Sequence, residues 1–159
     1  MSERRQGTQA NLTGKVLEDL VASVFKSHDF EIMDYAEHLQ ASGLEERDVL
    51  VKNVPYETIY GHQGKTEFLV VSPRRGLRFR IECKWQQTAG SVDEKFPYLI
   101  ENCKTMPEPM VVILIDGKGY KDGALAWLKR AAGECAAAGV KEVRVFDMAE
   151  FVIWANSTF

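Results

Sequence analysis

No run in this chain comes near the about eighteen apolar residues that a bilayer-spanning helix needs, which excludes an integral membrane protein of that kind. The opening MSERRQGTQ has none of the apolar stretch of a secretory signal. Cysteine is scarce: Cys83, Cys103 and Cys135 are odd in number, with no Cys-x-x-Cys pair. That argues against a disulfide framework and against a zinc knuckle, and the expectation is a reduced, cytoplasmic protein. There is no surplus of basic charge either: 20 Lys and Arg face 23 Asp and Glu, for a net charge of -3. The chain as a whole does not advertise nucleic-acid binding. Repeats, low-complexity tracts and linkers are also missing. The 159 residues then read as a polar, frayed segment over 1–9 and a single domain over 10–159, large enough for a real core.

What is present is periodic. Leu12, Val16, Leu20 and Val24, and with them Leu17, Val21 and Phe25, recur at helical spacing between Ala10 and Ser27. Phe30–Met33 reads as a short strand and Tyr35–Ala41 as a short helix. Asp48–Tyr60 is extended, with Pro55 marking an edge or a bulge. Gly61–Gly64 is a turn, Thr66–Val71 a strand, Ser72–Gly76 a hairpin turn and Leu77–Gln86 the next strand. A helix follows Gly90, with Ser91 and Glu94 in capping-box spacing. Pro97 either kinks that helix or opens it, and the earlier start is the one expected. The apolar run Met110–Ile115 suits a strand buried on both faces. Gly123–Ala138 is an Ala-rich helix, Val143–Phe146 a short strand and Met148–Ala155 a closing helix. Apart from the short pieces before Ala41, the order is helix, three strands, helix, strand, helix, strand, helix. That is an α/β architecture, a mixed β-sheet flanked by helices.

The strand LRFRIECKWQ carries the chemistry. Side chains alternate across a strand, so Leu77, Phe79, Ile81, Cys83 and Trp85 share an apolar face. Arg78, Arg80, Glu82, Lys84 and Gln86 share a polar one. The same alternation marks an ordinary half-solvated strand, and Glu-x-Lys alone is a common same-face ion pair. Its weight comes from Glu67, which opens the preceding strand and is brought beside Glu82 by the hairpin. Glu67 is either an ion-pair partner of Lys65 or Lys84, or a ligand to a shared cation. Two carboxylates on adjacent strands suit Mg²⁺, with Mn²⁺ as a substitute; water and phosphate complete such an octahedron. The backbone carbonyl of Cys83, between the two key side chains, is a further candidate ligand. Lys84 could orient or deprotonate an attacking water and offset charge on a phosphorane-like transition state. These are the parts that phosphodiester hydrolysis needs.

The spacing Glu67…Glu82-Cys83-Lys84, on consecutive strands after an N-terminal helix carrying Glu18, resembles the PD-(D/E)xK nuclease superfamily. Restriction endonucleases and archaeal-type Holliday junction resolvases belong to it. The likeness runs from Leu12 to about Phe146. The stretches IECKWQQTAGSVDEKFPYL and IDGKGYKDGALAWL are also similar to a smaller phage- and plasmid-borne group of nucleases within it. The resemblance implies a restriction endonuclease-like α-β-β-β-α-β core and Mg²⁺-dependent cleavage of DNA. It implies Glu67 as the first acid, Glu82 as the second and Lys84 as the lysine. Glu18 matches the helix glutamate that some members direct at the metal, and Gln86 continues the active face. One feature departs: the family's first acid is usually aspartate, often after proline, whereas Glu67 follows Thr66.

Basic residues cluster between Lys65 and Lys84. Arg74, Arg75, Arg78 and Arg80 are the candidate DNA track, with Lys65 and Lys95 next in line. His62 and Glu94 carry less weight, as a loop histidine and a helix cap. Without a separate recognition domain, specificity falls to loops such as Asn53–Gly64 or is absent. Two readings compete with the endonuclease. One is a structure-selective resolvase, which needs a homodimer to place two sites on two strands. The other is a DNA- or partner-binding module that keeps the fold and need not bind Mg²⁺.

Overall fold

The computed structural model describes the backbone of residues 3–159 and the side chains of residues 14–159. Of the N-terminal segment expected to fray, residues 1–2 lie outside the described ones. Helix α1 (Glu3–Ser27) begins within that segment rather than at Ala10. It is followed by β1 (Glu31–Asp34), α2 (Tyr35–Gln40), β2 (Val49–Glu57), β3 (Gln63–Ser72), β4 (Leu77–Trp85), α3 (Phe96–Thr105), β5 (Met110–Asp116), α4 (Asp122–Ala137), β6 (Glu142–Phe146) and α5 (Met148–Thr158). The six strands form one sheet in the order of the chain. β2, β3 and β4 are antiparallel neighbours; β1 joins β2, β5 joins β4 and β6 joins β5, all in parallel. This is the expected mixed α/β sheet flanked by helices.

On one side, Phe68, Val70, Phe79, Ile81, Cys83, Val112 and Leu114 pack under Leu17, Val21 and Phe25 of α1 and Phe151 of α5. On the other, Val111, Ile113 and Ile115 pack under Phe96, Leu99 and Ile100 of α3 and Leu128 of α4. That second layer corrects the picture of β4 as a half-solvated strand: Arg80 and Glu82 are buried. The reason is topological. The β4–β5 and β5–β6 connections are parallel crossovers, which need helices, and both helices cover the face that carries Arg80, Glu82 and Lys84. Charges placed there require partners.

One local reading changes, and the Pro55 edge holds. No helix starts at the Ser91–Glu94 spacing. A 3-10 turn over Asp93–Lys95 leads into α3, and Pro97 sits in its first turn, where a missing N–H costs nothing. Pro55 lies in β2 beyond Lys52, the last residue paired with β1, so it interrupts no ladder on that side. The three cysteines are buried and free. Among the described residues no helix is long and apolar enough to cross a membrane.

Candidate active site

The sheet opens at one residue. The β2–β3 ladder runs Lys52↔Phe68 and then Val54↔Thr66, omitting Asn53 and Glu67. The β3–β4 ladder ends at Phe68↔Ile81 and does not reach Glu67 and Glu82. Asn53 has φ 56, in the left-handed region that asparagine tolerates better than most residues. Glu67 is thus unpaired through its backbone on both sides. Its carboxylate fills the gap: the Cys83 N–H donates to Glu67 Oε2 at 2.9 Å. The N–H and C=O of one strand residue face the same neighbour, so the Cys83 carbonyl is directed into the same opening.

Lys84 closes the arrangement. Its Nζ lies 2.7 Å from Glu82 Oε2 and 3.8 Å from Glu67 Oε1. Glu82 is only 3% exposed, and its Oε1 is buried with no hydrogen-bond partner. Burial pushes the Glu82 carboxyl up to about 7; Lys84 opposes the rise and Glu67 adds to it. For Lys84, burial works against the ammonium, but the carboxylates of Glu82 and Glu67 outweigh it and raise its pKa. Lys84 therefore stays protonated.

The site is open on both sides of the sheet. Toward α3, Lys84 lines a cleft of about 230 Å³ with Val92, Lys95, Phe96 and Leu99. Toward α1, Glu18 lines a cavity of about 650 Å³ with Lys15, Lys52 and Asn53. The Glu18 pKa is raised, first by partial burial and then by the neighbouring Glu67 carboxylate. A hard divalent cation fits this donor set. A buried carboxylate oxygen without a donor, beside a second carboxylate and a backbone carbonyl, is what such an ion satisfies. Among the described residues no three His, Cys, Asp or Glu side chains cluster as ligands. Two carboxylates suffice for Mg²⁺, which keeps several waters.

Other predicted residues are not brought together here. Gln86 lies past the end of β4 and is buried; its Nε2 donates to the Gly119 carbonyl at 2.8 Å and its Oε1 accepts from Val92 N–H at 2.9 Å. Its amide ties two loops together rather than facing the carboxylates. The arginine track is dispersed. Arg80 is 3% exposed and pairs with Glu108, while its Nη1 donates to the carbonyls of Val54 at 3.1 Å and Pro55 at 3.0 Å. It cannot reach a phosphate. Arg78 is 3.6 Å from the same Glu108. Arg75 pairs with Asp48 at 2.6 Å, and Arg74 donates to the Glu46 carbonyl at 3.1 Å. The turn carrying Arg74 and Arg75 precedes β4, whereas Glu82 and Lys84 stand near its end. At a rise of about 3.3 Å per residue that separates them by about 20 Å. Of the basic candidates, Lys65, two residues before Glu67, and Lys95, in the cleft, remain beside the site.

The model of the PD-(D/E)XK nuclease superfamily domain matches residues 9–159. The chain belongs to the PD-(D/E)XK nuclease superfamily. The crystal structure of a protein of unknown function, AF1548, is similar at 13% identity and a TM-score of 0.44 over 84% of this chain. The chain spans 57% of that protein's length. No curated protein matches the sequence.

This superfamily domain holds three site-shaping residues that sequence reasoning did not single out. In the sequence Asn53 marks only the edge of a loop. Tyr56 lies beside the site: its hydroxyl is pushed up to about 12, first by burial and then by the Glu82 carboxylate, and Arg80 stacks 5.9 Å from its ring. Glu108, from a polar-looking connection, is 3% exposed and neutralises Arg80. A charged residue in mid-strand signals that a partner must exist, but nothing local says where.

Proposed function

We propose that this chain is a Mg²⁺-dependent DNA endonuclease, in which Glu67, Glu82 and the Cys83 carbonyl hold the cation and Glu18 supports them from α1. The observation that carries this reading is Lys84 Nζ held between the carboxylates of Glu82 and Glu67, with Glu82 Oε1 left without a donor. When bound, the cation would polarise a phosphoryl oxygen and lower the pKa of a water.

The chain's own residues do the rest. Glu67 keeps one oxygen on the Cys83 N–H, which fixes the carboxylate and leaves the other toward Lys84. Lys84 is protonated, so it donates. Its ammonium positions the attacking water or binds a phosphoryl oxygen and offsets the charge that develops there. It is not the base. Lys65 and Lys95 are the cations placed to meet flanking phosphates. The buried free cysteines suit a reducing, cytoplasmic setting. A homodimer belongs to the proposal only if the substrate is a two-stranded junction.

The test is incubation of the purified protein with supercoiled plasmid, single-stranded DNA and four-way junctions, with Mg²⁺, Mn²⁺ or EDTA. Metal-dependent cleavage is expected. Glu82→Ala and Lys84→Ala should each lower it by about 100-fold or more without changing the circular dichroism. Wild-type cleavage by either variant, or no uptake of Mg²⁺ or Mn²⁺ in calorimetry, overturns the assignment.

A further inference from the structure

We propose that Tyr60 and Tyr98 form a stacking platform for an unpaired base, so that the preferred substrate is DNA with a single-stranded segment entering the cleft. The two rings lie 5.5 Å apart between centroids and 22° from parallel. Tyr60 has one ring face on Tyr98 and is still 69% exposed; Tyr98 is 38% exposed. Two stacked phenols presented to solvent call for an occupant.

Their exposure does not come from a loose loop. Tyr60 sits in the β2–β3 turn, which closes on itself through Thr58 N–H to the His62 carbonyl at 2.8 Å. The turn is tied to α3 at two points. Ile59 N–H donates to Asn102 Oδ1 at 3.0 Å, and Thr105 Oγ1 donates to the Glu57 carbonyl at 2.8 Å. The platform is therefore held rigid, and ordering it costs binding little.

Its position is what points to nucleic acid. Tyr98 lies on α3, the helix whose Phe96 and Leu99 line the cleft to Lys84. Tyr56 connects the two regions: the charges of Glu82 and Lys84 and the Tyr98 hydroxyl all bear on its own hydroxyl. Lys95 lines the same cleft, and neither it nor Lys65 forms an ion pair among the described residues. Glu101, an acid on the same helix, is already paired with Lys104 at 2.5 Å. Aromatic faces beside a cationic cleft are the elements of single-strand binding. In a duplex both faces of each base are occupied by neighbours, so the tyrosines can meet a base only where the strand is unpaired.

This inference rests on the endonuclease reading, and the experiment separates the two. Binding of a labelled oligothymidine of about 15 nucleotides, and of a duplex of equal length, is measured by fluorescence anisotropy in EDTA. The proteins are wild type, Tyr60→Ala, Tyr98→Ala and Tyr60→Phe. Each alanine variant should bind the single strand about tenfold more weakly and the duplex as wild type does, while Tyr60→Phe, which keeps the ring, matches wild type on both. Alanine variants that bind the strand like wild type, or that lose the duplex equally, overturn the platform. If wild type then still cuts plasmid with Mg²⁺, only this inference has failed. If wild type binds no DNA and cuts none, the endonuclease reading fails with it.

Discussion

Asn53 and Glu67 stand opposite each other on β2 and β3 without pairing, and Asn53 is the residue in the left-handed conformation. The break frees Glu67 to turn its carboxylate to Cys83 N–H and Lys84. A β-branched residue at 53 resists that conformation, at a cost of about 1–3 kcal/mol. Asn53→Val should therefore lose stability in a urea melt, or restore the ladder and withdraw Glu67, with metal-dependent cleavage falling at least about tenfold. Asn53→Gly, which adopts positive φ freely, should cut close to the wild-type rate. A valine variant with both wild-type stability and wild-type rate would show that the break does not position Glu67.

Arg80 belongs to the fold and not to the substrate. Removing it leaves Glu108 buried without its closest cation. Arg80→Ala should cost about 3–5 kcal/mol in urea unfolding, and Arg80→Met with Glu108→Leu should recover most of that. If the single variant melts like wild type, the buried pair contributes nothing.

The salt dependence of DNA binding should track lysines. Each phosphate neutralised adds about 0.9 to the slope of log affinity against log salt for duplex DNA. Lys65→Ala with Lys95→Ala should flatten that slope, and Arg74→Ala with Arg75→Ala should leave it unchanged. The reverse pattern, in a titration from low to moderate salt, would return the backbone track to the arginine turn.

Glu82 makes the apo protein sensitive to pH. Its folded-state pKa of about 7 lies above the ordinary 4.5. The folded state thus favours the neutral carboxyl. That contribution is fully present below about pH 4.5 and is lost as pH rises through about 7. In EDTA, the melting temperature should fall between pH 5 and pH 8, and Glu82→Gln should flatten the fall. Lys84, with its pKa raised, stays charged throughout this window. Mg²⁺ should restore wild type at pH 8 and release a proton on binding near pH 7. Equal slopes for wild type and the glutamine variant would place the titration elsewhere.

Period-2 alternation located β4, and the tight turn at Pro73–Gly76 placed Glu67 beside Glu82, so both the sheet and the Glu67–Glu82–Lys84 grouping were legible in the sequence. What alternation cannot say is which face is covered. Arg80 and Gln86 looked solvent-facing because they are polar, yet only Arg78, at the start of that face, is exposed. The α3 and α4 crossovers, set by the chain order of parallel strands, cover that face and turn Arg80 and Gln86 to Glu108, Gly119 and Val92. Asn53 and Tyr60 gave no periodic signal, since a ladder break and a turn aromatic acquire meaning only from what stands across from them.

The Gln86 junction has an evolutionary consequence. A Cβ at Gly117 would lie 2.1 Å from the Gln86 carbonyl oxygen, and one at Gly119 would lie 2.2 Å from that of Thr88. The main chains of the two loops touch directly, and the Gln86 amide bonds across the same junction to Gly119 and Val92. Residues 87–91 are exposed. The side chains of that short segment are free to diversify without displacing the junction, while positions 117 and 119 stay closed to anything but glycine.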